Sequence, residues 1–321
     1  MLTGPYPGPC DRVKPQETPT LEMTAFPGVV AAAITPRGKQ GEVDFGATFD
    51  LIDYLCRAGA RGIALFSGAG EYPAFTIEER SRLVYLAVKR SRLPVLVGVG
   101  SATLDLSVAL AREARDAGAA AILAPPPFFY RYEPDDIREF YLQFAEHVGL
   151  GSTLFLSNMP PLTSEVSAEA AAGLLETGRF AGIEDASGNW ESFAALKAAA
   201  EGRSCQLLAS DAVFTRARCG ASGVLSMAAC AVPELVMALD RAIGGSRRDD
   251  IERLDGRLQS FLEWSRRFPL PAIVKVATGM RGLKTGPLAV PLPPEKERLL
   301  DEFREWFRGW LPEMKKLAAN A

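Results

Sequence analysis

Short unbroken apolar runs alternate along most of this chain with longer segments whose apolar residues recur every three or four positions. The short runs are VVAAAIT (29–35), GIALF (62–66), PVLVGVG (94–100), AAILAPP (120–126), TLFLSN (153–158), FAGIED (180–185), CQLLASD (205–211) and GVLSMAA (223–229). With so little polar interruption, they predict strands buried on both faces. Helical patterns fill the intervals at about 46–58, 77–91, 103–117, 134–148, 167–177, 189–201, 211–219 and 232–243. Most are long enough to carry a crossover between parallel strands. Residues 249–321 read as largely helical, with the amphipathic stretches DIERLDGRLQSFLEWSRRF (250–268) and EKERLLDEFREWFRGWL (295–311).

Local punctuation fits this pattern. Thr76 and Glu79 have the spacing of a capping box, and Pro134 stands where a helix can begin. RAGARGIALF (57–66), DAGAAAILAP (116–125) and RCGASGVLSM (218–227) each run from helix into strand through Gly59, Gly118 or Gly220, which predicts a left-handed glycine cap at each joint. Eight strand–helix units of about 25–30 residues predict an α/β fold, a (β/α)8 TIM barrel with a C-terminal helical extension. An open doubly wound sheet is the alternative. The expected division is an extended N-terminal arm at 1–26, rich in Pro, Gly and polar residues, the barrel at 27–245 and the extension at 246–321.

Composition narrows the function. A chain of 321 residues, 48% apolar and 23% charged, has ample material for a core. Its 36 basic and 39 acidic residues give a net charge of −3 with no long run of one sign, so neither nucleic acid nor an anionic membrane is an expected partner. Cys10, Cys56, Cys205, Cys219 and Cys230 are odd in number and widely spaced, which suits reduced thiols and a cytoplasmic protein. The start, MLTGPYPGPCDRVKPQ, lacks the apolar run of a signal peptide, and no segment is long and apolar enough to span a bilayer. A small-molecule ligand is the expected partner.

Barrels of this kind work from the C-terminal ends of their strands. That rule selects Thr35, the turn SGAGEYPAF (67–75), PPPFFYRY (125–132), Ser157 with Asn158, Glu184 with Asp185, Ser210 with Asp211, and Ser226. The single histidine, His147, falls near a helix end, which leaves no Ser–His or Cys–His triad. No lysine ends a strand; Lys275, in PAIVKVATGM, reads as a helix-surface residue. Glu71, Glu184, Asp185 and Asp211 could offer oxygen ligands to Mg²⁺ or Mn²⁺, but without a histidine this is the weakest reading, and no metal or cofactor is expected.

The rim segments, in order, resemble the dihydrodipicolinate synthase / N-acetylneuraminate lyase family from about residue 28 to 293. AAITP (32–36) is similar to the family's A-x-x-T-P, and Val43 with Asp44 to its V-D. SGAGE (67–71) is similar to G-T-T-G-E, TIEER (76–80) to S-x-E-E-R, and PVLVGVGSAT (94–103) to P-V-I-A-G-V-G-x-x-T. PPPFFYR (125–131) stands for P-P-Y-Y, SNMP (157–160) for Y-N-x-P, GIEDASGN (182–189) for G-I-K-D-x-S-G-D, and ASDAVF (209–214) for the G-x-D segment. GASGVLSMAACAVPEL (220–235) and GPLAVPLPP (286–294) resemble the closing motifs.

The resemblance implies a class I aldolase-type lyase fold, a 2-oxo acid or sugar acid ligand, and assembly as a homo-oligomer, a tetramer or a dimer. Phe261, Trp264, Phe268, Phe303, Trp306, Phe307 and Trp310 could serve such assembly or simply pack on the barrel. The family's imine-forming lysine falls at Glu184, its proton-relay tyrosine at Ser157, the P-P-Y-Y tyrosine at Phe129, and its carboxylate-holding threonines at Gly68 and Ala69. A carboxylate cannot form an imine. The candidate catalytic groups are therefore Glu184, Ser157 and Glu71, and the candidate binding positions are Thr35, Gly68, Ala69, Phe129, Asn158, Asp185, Ser210, Asp211 and Ser226. Two functions follow: an enzyme using Glu184 as acid or base in a mouth lined by Phe128 and Phe129, or a non-catalytic relative that binds a small carboxylate or supports a partner.

Overall fold

The computed structural model describes residues 26–218 and 220–321, so the expected N-terminal arm lies, but for Phe26, outside the described residues. Strands β1 (Gly28–Ala32), β2 (Gly62–Leu65), β3 (Val95–Gly98), β4 (Ala121–Ala124), β5 (Leu154–Asn158), β6 (Gly182–Asp185), β7 (Gln206–Ser210) and β8 (Gly223–Ser226) pair in that order, and β1 closes on β8. All pairs are parallel. The closed sheet excludes the open doubly wound alternative.

Helices α1 (Phe45–Ala58), α2 (Ile77–Arg90), α3 (Leu104–Ala117), α4 (Pro134–Val148), α5 (Ala168–Glu176), α6 (Trp190–Ala200), α7 (Phe214–Arg218) and α8 (Pro233–Gly244) follow the eight strands. Their starts are fixed locally. Thr76 and Glu79 form the expected capping box of α2, and Pro134 opens α4. Gly59 and Gly118 both cap their helices at φ 96°, where a side chain would be strained. At the third joint the Gly220 amide closes α7 by donating to the Ala217 carbonyl, and the expected cap there involves position 219, outside the described residues. The single helix expected at 211–219 is a 3-10 turn, Asp211–Val213, leading into the short α7.

The C-terminal extension comprises α9 (Arg248–Arg266), α10 (Ala272–Met280) and α11 (Pro294–Asn320). Both α9 and α11 pack against α8. Their aromatic residues form one cluster in which Phe261 meets Phe303, Phe307 and Trp310, all four buried. Core packing therefore occupies these side chains. Among the described residues no helix is long and apolar enough to cross a membrane.

Candidate active site

In a barrel, alternate strand residues face the interior and the helices, and parallel partners in register share a facing. Ser157 pairs with Glu184 and Glu184 with Leu208, so these three point inward together. Their successors, Asn158, Asp185 and Ala209, point outward in the next row. That parity divides the expected site residues into two groups with different work to do.

The outward group is saturated. Asn158 Nδ2 donates to Asp185 Oδ1 at 2.9 Å, and Asn158 Oδ1 accepts from the Val166 amide at 2.9 Å. Asp185 accepts also from the Ser187 amide and hydroxyl. Burial raises the Asp185 carboxyl above its ordinary range, and the Asn158 and Ser187 donors counter this. The network pins the loops after β5 and β6. Ser226 does similar work at β8, where its hydroxyl donates to Asp211 Oδ1 at 2.5 Å, while Asp211 Oδ2 accepts from the Ala228 amide. Burial still pushes Asp211 up to about 6 despite those donors.

Inward lies a cavity of about 540 Å³ at the C-terminal strand ends. Ala32, Ser67, Gly68, Ala69, Glu184, Ser210, Asp211, Leu225 and Met227 line it from the barrel, and Met159, Pro161 and Leu162 from the loop after β5. Glu184 is 3% exposed. Burial pushes its carboxyl up to about 7; the Ser157 hydroxyl draws it back, and Asp185 adds a smaller upward push. Although that hydroxyl lies beside the carboxyl, neither Ser157 Oγ nor Glu184 Oε2 completes a hydrogen bond of ordinary geometry among the described residues. Ser157 is not among the lining residues, whereas Ser67 Oγ and Ser210 Oγ, which line the cavity with Glu184, are likewise unpartnered. Buried polar atoms are normally satisfied, so three unsatisfied groups facing one cavity mark a place where a ligand supplies the partners.

Five expectations, at Lys275, Glu71, Phe129, Phe128 and Thr35, require correction. Lys275 is not on a helix surface but 1% exposed, and its Nζ lies 2.5 Å from Glu71 Oε2. Burial lowers its pKa, and Glu71 opposes the fall. Glu71 is thereby committed to an ion pair outside the cavity lining. Phe129 does not line the mouth; it sits at φ 91°, is 83% exposed, and packs edge-on against Tyr130. Phe128 meets Tyr72 instead of the cavity. Thr35 is buried and donates to the Gly70 carbonyl at 2.8 Å, which holds the β2 turn from behind. Among the described residues no group of three or more His, Cys, Asp or Glu side chains converges to hold a metal ion.

The cavity also has a wall that no local pattern announced. Leu262, Ser265 and Arg266 at the end of α9, with Phe268 and Leu270 beyond it, close one side. Among the described residues, Arg266 supplies the only basic side chain of the lining, and no lysine is among the lining residues.

A closed (β/α)8 barrel with acids and unpartnered hydroxyls in a cavity at its C-terminal strand ends is the layout of a barrel that handles a small molecule there. The model of the dihydrodipicolinate synthetase family matches residues 25–308, and the chain belongs to that family. It is 26% identical over 294 residues to the 4-hydroxy-tetrahydrodipicolinate synthase of Gluconacetobacter diazotrophicus, covering 90% of this chain and 98% of that one. An uncharacterised DapA-like lyase of Halobacterium salinarum is 30% identical over 271 residues, covering 83% and 88%. Two solved structures share the fold. The 4-hydroxy-tetrahydrodipicolinate synthase of Methylacidiphilum fumariolicum SolV superposes with a TM-score of 0.81 at 24% identity, covering 91% of this chain and 99% of that one. The sialic acid aldolase of Ruminococcus gnavus gives 0.80 at 20%, covering 90% and 99%.

Proposed function

We propose that this protein acts on a small oxo acid, of the 2-oxo acid or sugar-acid class, by proton transfer at Glu184 and without an imine. The observation that carries this reading is the Glu184 carboxyl, buried in the cavity with Oε2 unpartnered and its pKa pushed up to about 7. Such a group is near half ionised at neutral pH, the condition under which a carboxyl serves best as a general base or acid. Ser67 and Ser210 offer hydroxyls for the oxyanion that develops when a proton leaves the carbon beside a carbonyl. Arg266 offers the substrate carboxylate a positive charge in the lining. Lys275, the one fully buried lysine among the described residues, is held by Glu71 away from the lining, which favours a route that needs no amine.

The experiment is hydrogen–deuterium exchange at the carbon next to the carbonyl of a 2-oxo acid, followed by NMR in D₂O. The parent should exchange with a rate rising through about pH 7 as the base ionises. Glu184→Gln should slow exchange at least about 100-fold while changing affinity little. Equal rates in parent and variant would sink the proposal. The same reading takes the protein to be a cytoplasmic homo-oligomer, dimer or tetramer. Its sedimentation mass at micromolar concentration should be a multiple of the single chain, and a monomer mass would exclude the assembly.

A further inference from the structure

The unsatisfied polar atoms account for only part of the cavity. Met159, Leu225, Met227, Leu262 and Phe268 make up much of the rest of the wall. Leu162 and Leu270 also line it and remain 44% and 47% exposed, which puts two large apolar side chains at its opening. Leu262, Phe268 and Leu270 come from the C-terminal extension, so the apolar wall is assembled from two distant parts of the chain.

Among the described residues of the lining, the buried side-chain atoms without a partner are three, Ser67 Oγ, Ser210 Oγ and Glu184 Oε2. Ser187 Oγ is spent on Asp185 and both Asp211 oxygens are already bonded. Ser265 and Arg266 add polar groups at one side. With Arg266 taken by the carboxylate, a polyhydroxylated acid would still bring more hydroxyls than the remaining side chains can satisfy, and each hydroxyl buried without a partner weakens binding. An apolar substituent has the opposite balance, because each buried methylene is worth roughly fourfold in affinity. Exposed leucines at a cavity mouth otherwise face water to no advantage.

We infer that the cavity selects an oxo acid carrying an aryl or branched-alkyl substituent, seated against Leu262 and Phe268 and covered at the mouth by Leu162 and Leu270. This deepens the reading given above and rests on it for the oxo acid, while its test reads binding alone. Under it, the barrel supplies the reacting groups and the extension sets the specificity. A sugar acid is thereby disfavoured relative to an acid of similar size with a ring or branched chain.

Calorimetric titration of the full chain with pyruvate, gluconate and phenylpyruvate tests this. Phenylpyruvate should bind at least about tenfold more tightly than either of the others. The double variant Leu162→Asn/Leu270→Asn alters partly exposed positions and should keep its melting midpoint. It should lose at least about threefold of the phenylpyruvate affinity and leave pyruvate unchanged. Leu262→Ala, with the same expected pattern, repeats the test from inside the cavity. Gluconate binding as tightly as phenylpyruvate, no measurable phenylpyruvate binding, or a preference untouched in both variants would overturn the inference. Loss of deuterium exchange in Glu184→Gln is a separate outcome, so failure of the selectivity leaves the proton-transfer reading standing, and the reverse.

Discussion

Glu184 is 3% exposed, with no arginine or lysine in ion pairing with it among the described residues. A carboxyl in that setting ionises reluctantly, and folding bears the cost. Below its ordinary value of 4.5 the group is neutral in the folded and unfolded chains alike. Between 4.5 and about 7 it ionises only when the chain unfolds, so the folded state binds more protons and stability falls as pH rises across that window. Above about 7 the full penalty, on the order of 3 kcal/mol, is in place. Asp211 adds a slope of the same sign between 3.8 and about 6, so the parent curve is a sum and a variant is needed to separate it. Glu184→Gln should match the parent in urea midpoint near pH 4.5 and exceed it at pH 8 by up to about 3 kcal/mol. A difference independent of pH would mean that Glu184 is not buried as a lone acid.

At the scale of the elements, strand positions and facing were legible because period-two alternation and unbroken apolar runs leave few alternatives. The parity of GIED sets Ile183 and Asp185 on the face opposite Glu184, the family resemblance implied that Glu184 is the inward one, and Glu184 lines the cavity. That same parity separates Asn158, Asp185 and Ser226 from the cavity, a distinction that choosing residues by nearness to a strand end overlooks. Lys275 was not legible. Its neighbours Ile273, Val274, Ala277 and Thr278 are buried as well, so α10 is enclosed on more than one face and lacks the polar stripe that usually marks a surface lysine. Its partner Glu71 lies 204 residues away and takes a left-handed φ of 48°, neither of which a local pattern signals. The pair ties α10 to the turn after β2, whose Ser67, Gly68 and Ala69 line the cavity. Lys275→Met would leave the part-buried Glu71 charge without its partner and should cost about 3 kcal/mol in denaturant unfolding. Glu71→Gln/Lys275→Met should recover most of that loss, and a double variant no better than the single would show that the pair is not coupled.

Over the whole molecule, the barrel sequence carried the family resemblance while the extension carried the surprise. Most of the ordered motifs from AAITP onward fall on strand ends or the loops after them, where backbone geometry restricts the residues that fit, while TIEER opens α2 and GPLAVPLPP joins α10 to α11. The contributions of Leu262, Arg266 and Phe268 depend on how α9 crosses the mouth, a tertiary fact that helical periodicity does not encode. What unites the scales is a carboxyl facing inward on β6 in a cavity whose lining, among the described residues, holds no lysine. The most direct measurement is borohydride reduction in the presence of pyruvate and of a longer 2-oxo acid, read by intact mass. An imine requires an accessible neutral amine on the protein, and Lys275 is enclosed and paired with Glu71. The expected result is a mass unchanged from the untreated protein with both acids. A stable reduced adduct on any lysine, Lys275 foremost, would contradict proton transfer at Glu184 without an imine.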